Sequence, residues 1–184
     1  MKNLLLIFKE KNINLKNTIS ILLILGIFSG IFGFIYEILF YKIDLGYFVK
    51  RGSSFGPWIP IYFFGGILIA IFSYRIKEKP ILVFLVNSLV TGILEYGTGF
   101  VLYEVFNKRL WDYNTEIWNF GNINGYICLR SVLFFGISSL FLIYAVIPMI
   151  LKLFDKIKER KFRILSIVLT AIFVADCITY MILN

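Results

Sequence analysis

Residues 18–41 read TISILLILGIFSGIFGFIYEILFY, twenty-four consecutive positions with a single charge, Glu37. Leu, Ile and Phe recur there without period-two alternation, so the segment is expected to be a helix rather than a barrel strand. At ~1.5 Å per residue it would measure about 36 Å, enough to cross a hydrocarbon layer about 30 Å thick. Four further runs have the same character, at 58–74, 80–106, 126–151 and 164–183. The fold expected is all-α: a polytopic transmembrane helical bundle of about five spans, one domain over residues 18–184.

Composition agrees. Of 184 residues, 59% are apolar and only 16% charged, and the mean hydropathy is +0.84, outside the usual range of soluble domains. Five spans and their loops use nearly the whole chain, which leaves no room for a soluble catalytic domain. Met1 to Phe8 resembles a signal peptide, but its apolar part is too short and Lys9-Glu10-Lys11 interrupts it. Residues 1–17 are therefore expected to form a short interfacial helix ahead of an uncleaved first span.

The net charge of +8 would suggest nucleic acid in a soluble protein. Here the basic residues fall between apolar runs, where they act as orientation signals and contacts for anionic lipid headgroups. The expected partners are membrane lipids, and not nucleic acid. One side carries Lys2, Lys9, Lys11 and Lys16, then Arg75, Lys77 and Lys79, then Lys152, Lys156, Lys158, Arg160, Lys161 and Arg163. The other carries only Lys42, Lys50, Arg51, Lys108 and Arg109. The positive-inside rule then puts the amino terminus inside and the carboxyl terminus outside. The chain has no histidine, so no imidazole metal site, Ser-His-Asp triad or Cys-His pair can form. Cys128 and Cys177 lie in apolar runs without CxxC spacing and read as small hydrophobes, a disulfide between them being left open. No cofactor, metal site or catalytic residue is expected.

Four charged residues lie within spans away from their ends: Glu37, Glu95, Arg130 and Asp176. Such residues are costly in lipid and are functional candidates by default. Counted from the inner ends of their helices, Glu37 lies roughly 28 Å up, Glu95 roughly 22 Å and Asp176 roughly 18 Å, while Arg130 sits about 6 Å below its outer end. All four fall in the outer half of the layer. Gly26, Gly30, Gly33 and Glu37 form one stripe of the first helix, and Ser88, Gly92, Glu95 and Gly99 repeat the spacing on the third. Small residues so placed let helices approach closely and turn each carboxylate toward the bundle. The glycines alone read as packing. For the carboxylates, ligand binding and structural pairing with Arg130 are compatible readings. At an offset of 58, Gly30, Gly33, Glu37 and Arg51 align with Ser88, Thr91, Glu95 and Arg109, a faint parallel hairpin repeat.

The outer loops hold the remaining polarity. Gly52 to Pro60 contains glycine and proline suited to a fixed, non-helical approach to the second span. The next outer loop contains Trp111-Asp112-Tyr113, Trp118-Asn119 and Asn122 to Gly125. Its aromatics suit an interfacial belt, and its Asp and Asn residues suit caps, turns or ligand hydrogen bonds.

Tyr36-Glu37, Arg51-Gly52, Gly56-Pro57-Trp58-Ile59-Pro60-Ile61-Tyr62, Leu94-Glu95-Tyr96, Trp111-Asp112-Tyr113 and Asn124-Gly125 followed by Ile127-Cys128-Leu129 occur in that order. Over roughly residues 33–151 the chain resembles the bacterial family of putative ABC-transporter type IV, permease-like membrane proteins. Tyr126 stands where that family has arginine, and Arg130, one helical turn on, is expected to supply the charge. The resemblance implies a multi-pass transport component of the bacterial cytoplasmic membrane. The chain has no GxxxxGK[ST] motif, so any ATPase would be a separate subunit.

The leading expectation is a permease-like component binding a small polar or charged solute in an outward-facing intramembrane pocket. Glu37, Arg51, Glu95, Asp112 and Arg130 would line it, with Tyr36, Tyr96, Trp111 and Asn124 beside them. Two alternatives stay open: a membrane-embedded enzyme acting on a lipid or lipid-linked headgroup, and a structural or regulatory subunit. The absence of a nucleophile motif weighs against the enzyme. The glycine stripes make a homo-oligomer an option.

Overall fold

The structure, a computed structural model, describes Phe8 and residues 13–183. Most of the interfacial helix expected over residues 1–17, namely 1–7 and 9–12, lies outside the described residues. Among those described there are helices and loops but no strand, only an isolated bridge between Ile123 and Ile127. Helix α1 runs Leu15–Leu45. Helix α2, Pro60–Ser73, continues as a 3₁₀ turn at Tyr74–Ile76. Next come α3, Pro80–Glu104, and α4, Leu129–Phe141. A π turn at Leu142–Val146 joins α4 to α5, Ile147–Lys156. The last helix, α6, is Glu159–Leu183.

Four stretches are long and apolar enough to cross a membrane: Leu15–Leu45, Pro80–Glu104, Leu129–Lys156 and Glu159–Leu183. The fifth apolar helix, Pro60–Ile76, is shorter. Local chemistry sets the ends. The Asn14 side chain accepts from the Asn17 backbone N–H at 2.9 Å and caps α1. Gly46 ends the same helix in the left-handed region, at φ 83°. Both α2 and α3 open on proline at a first-turn position, where a missing N–H costs nothing. Pro148 sits at the start of α5, just after the π turn. Wider winding there absorbs the ring and the missing donor, and α4 and α5 stay one rod.

The helices pack as two hairpins side by side, α1 on α2 and α3 on α4, joined along α2 and α3, with α6 laid against α1. The α1 stripe works by contact. A Cβ at Gly33 would lie 2.1 Å from the Tyr62 ring, and one at Gly26 would lie 2.7 Å from Phe63. At Gly30 the backbones touch, the carbonyl accepting from Ile59 N–H at 3.1 Å. Polar ties close the end of the bundle where α1 and α3 begin. Ser73 donates to Asn87 at 2.9 Å between α2 and α3. Asn17 donates to Glu159 at 2.9 Å and accepts from Arg163 at 3.1 Å, fastening α1 to α6. The apolar core in that half gathers Ile21, Leu25, Ile69, Ile143, Ile147 and Phe162. Phe8 also belongs to it, edge-on to Tyr74 at 4.7 Å.

Candidate functional site

The end of the bundle where α1 and α3 finish is closed by residues 105–128, which hold no regular helix. Asp112 organises this cap. Its carboxylate pairs with Arg109 at 2.6 Å and accepts from the Asn114 backbone at 3.0 Å and side chain at 2.8 Å. Burial alone would raise the Asp112 pKa, but the Asn114 backbone N–H and the Arg109 guanidinium outweigh it and hold the carboxyl below its usual value. Gly125 sits at φ 76°, where a Cβ would meet the Asp112 carboxylate at 2.4 Å. Asn124 adopts φ 54° beside it and gives its carbonyl to Arg109 at 3.1 Å.

So anchored, the cap drops two side chains into the bundle. Tyr113, 9% exposed, donates to Glu95 of α3 at 2.5 Å. Burial and then the neighbouring Glu95 push the Tyr113 phenol well above its usual range, so it stays a donor. Glu116, 8% exposed, accepts from Tyr41 of α1 and pairs with Arg130 of α4 at 2.6 Å. A third tie is the Asp44 carboxylate at the end of α1, which accepts from Ile117 N–H at 3.0 Å.

These contacts enclose a chamber walled by Tyr36, Glu37, Tyr41, Arg51, Tyr62 and Glu95, together with Trp111, Tyr113, Glu116, Arg130 and Ser131. Glu37 pairs with Arg51 at 3.2 Å. Arg51 also donates to the Tyr41 hydroxyl at 3.0 Å and the Leu110 carbonyl at 3.2 Å, and its guanidinium lies 3.8 Å from the Tyr41 ring centre. Glu95 receives Ser131 at 2.7 Å as well as Tyr113, both neutral donors. Among the described residues it has no ion pair. Arg130 lies 3.8 Å over Phe40, and its Nε and Nη1 are buried without a hydrogen-bond partner among the described atoms. The chamber thus joins three carboxyl groups to two guanidinium groups. Its free space is only about 30 Å³, about one water's share of liquid volume.

The sequence candidates divide. Tyr36, Glu37, Arg51, Glu95, Trp111 and Arg130 come together in the wall. Asp112 and Asn124 sit in the cap and shape it. Tyr96 faces Tyr126 and Phe100 at 5.6 and 6.3 Å instead. The pairing expected between Arg130 and Glu37 or Glu95 is replaced by Arg130–Glu116 and Arg51–Glu37, because the cap brings its own carboxylate. Tyr126 is not one helical turn before Arg130 on a shared face, since α4 begins only at Leu129; its hydroxyl donates to Glu104 at 2.6 Å. Asp176 stands outside the chamber as a clamp, accepting from Phe55 N–H at 3.2 Å, Gly56 N–H at 3.0 Å and Trp58 Nε1 at 2.6 Å. The Gly56-Pro57-Trp58 stretch is thereby pinned to α6. Both cysteines are free. Sequence reasoning missed Glu116, Tyr41, Tyr62 and Ser131. The one available signal for Glu116 was an acid among aromatics in a loop too rich in turn residues to be a helix.

A family model described as putative ABC-transporter type IV matches residues 24–181. Neither a curated protein nor a solved structure matches the chain.

Proposed function

Starting from a chain that belongs to the putative ABC-transporter type IV family, we propose that it is the membrane component of a transport assembly in the bacterial cytoplasmic membrane. It crosses five times, with the amino terminus inside, and works with a separate ATPase. The outer chamber is its polar solute site, and the observation that carries this is Glu95. That carboxyl is 4% exposed, lies within an apolar helix and, among the described residues, is hydrogen-bonded only by hydroxyl groups. Structural pairing would give it a cation; a site that receives one leaves it free. The excess of one carboxyl over guanidinium groups favours a solute with a cationic group. At about 30 Å³ the chamber is too small to admit a solute as it stands, so loading requires its walls to move apart. The basic turn joining α5 to α6, where Lys152, Lys156, Lys158, Arg160 and Lys161 are all exposed, is the surface offered to the ATPase.

The test is recovery of the tagged chain from native membranes in mild detergent. A P-loop ATPase is expected to copurify stoichiometrically and to be lost on charge reversal at Lys156 and Arg160. Recovery of the chain without an ATPase would overturn the reading. The small volume of the chamber also favours a second reading, a structural subunit whose polar residues only lock the bundle. In that case no solute stabilises the protein, and Glu95→Gln changes no response.

A further inference from the structure

A second space lies beside the chamber, between the outer halves of α2, α3 and α6. It arises from a mismatch of lengths. With its 3₁₀ turn α2 spans about 27 Å, against about 38 Å for the 25 residues of α3. Above Pro60 the chain is loop. Helix α6 leans on α1 and reaches α2 through Phe173, stacked on Phe63 at 4.5 Å, so α3 and α6 stand apart there. The resulting groove has a volume of about 540 Å³. Phe64, Leu94, Leu102, Phe173, Ile178 and Met181 make its walls apolar. It opens sideways, with Phe64 54% and Met181 71% exposed.

One end of the groove is cationic. Lys50, Arg51 and Ser53 line it, and the Lys50 ammonium lies over the rings of Phe55 at 5.2 Å and Tyr180 at 5.6 Å. Among the described residues Lys50 has no carboxylate partner. An apolar groove about the volume of one turn of a helix 10 Å across is too small for a partner helix, and it suits a thinner chain. We propose that it is a binding site for a phospholipid with an anionic headgroup, one acyl chain lying between α2, α3 and α6 and the phosphate against Lys50 and Arg51. Arg51, Glu37, Ile61 and Trp111 wall both this groove and the chamber. A bound headgroup therefore sits next to the Glu37–Arg51 pair.

The experiment uses the full chain purified in neutral detergent and titrated with dioctanoyl phosphatidylglycerol, with thermal unfolding as the readout. The lipid is expected to raise the midpoint more than dioctanoyl phosphatidylcholine does, and glycerol phosphate without chains is expected to do nothing. Lys50→Gln, on an exposed loop, weakens the response about five-fold, the value of one basic residue near a charged membrane surface. Thr98→Trp, or Leu102→Phe where the larger ring prevents folding, fills the groove and removes the response. Leu89→Trp, on a lipid-facing part of α3, keeps it. Equal responses to the two lipids, or an unchanged response in the groove variants, would overturn the site. Glu95→Gln touches only the chamber, so a lipid response that survives it separates failure of the solute reading from failure of this one.

Discussion

Arg130 and Glu116 meet at 2.6 Å with side chains 15% and 5% exposed, so removing either one strands the other in an apolar bundle. Glu116→Gln is expected to cost about 3 kcal/mol or more, and the double variant Glu116→Gln, Arg130→Met less than the sum of the singles. A thermal or SDS titration of the four proteins measures this, and additive losses would mean that the pair is not coupled. Glu95→Gln behaves differently. The amide oxygen can still accept from Tyr113 while the amide nitrogen donates to Ser131 Oγ, whose own proton turns to the Cys128 carbonyl at 2.8 Å, so stability is expected to change by less than about 1 kcal/mol, while any solute response is lost. In the cap, the Asp112 carboxyl is held below its usual value, so its contribution is complete above about pH 4 and fades as pH falls through its folded pKa. Hydrogen exchange over residues 109–125 is expected to accelerate in that acid range in the wild type, and already at neutral pH in Asp112→Asn. Glu37, Glu95 and Arg130 were legible in sequence because an ion within an apolar run has few inexpensive places to go. Glu116 was not, since a carboxylate in a polar loop normally faces water and only the fold of the cap turns it inward.

The helices show the same contrast. Four long apolar stretches stand close to their expected bounds, and the glycine stripe of α1 identified the face that meets α2. Stripe spacing gives direction, however, and says little about tolerance at each position. At Gly33 a Cβ would lie 2.1 Å from Cγ of Tyr62, the part of the ring nearest its own backbone and least able to move. Gly33→Ala is therefore expected to push α1 from α2 and lower stability by about 1–3 kcal/mol. A Cβ at Gly97 of α3 would meet nothing within 4 Å, so Gly97→Ala is expected to be neutral or to stabilise by up to about 1 kcal/mol through helix propensity. Unfolding midpoints of the two variants in one detergent compare them directly, and equal effects would mean that the α1–α2 seam is not close-packed. The repeat at offset 58 has its counterpart in two helical hairpins, but the copies differ in chemistry. Arg51 turns in to Glu37, whereas Arg109 turns out to Asp112, because only the second loop is long enough to fold into a cap.

For the whole molecule, the short α2 decides how many times the chain crosses. The end of α1 and the cap touch directly through Asp44 and Ile117, so residues 44 and 117 share one side of the membrane. Between them lie α2 and α3, and the 25 residues of α3 are ample for a crossing. If α3 crosses, α2 must cross as well, or the two ends of that contact would be on opposite sides. Pro60–Ile76, at about 27 Å, reaches most of the way across about 30 Å of hydrocarbon with slight local thinning. The direction proposed from the basic residues is open to a labelling test. In a background of Cys128→Ala and Cys177→Ser, single cysteines at Gly46 and Asn114 are expected to react with a membrane-impermeant maleimide from outside. Cysteines at Glu78 and Lys158 are expected to react only after permeabilisation. Labelling of Glu78→Cys from outside, with protection of Asn114→Cys, would make α2 re-entrant. It would also separate Tyr41 from Glu116, and the chamber could not form as described. Labelling of all four positions with the sides exchanged would keep the chamber intact but turn it toward the cytoplasm, which would reverse the side from which a solute reaches Glu95.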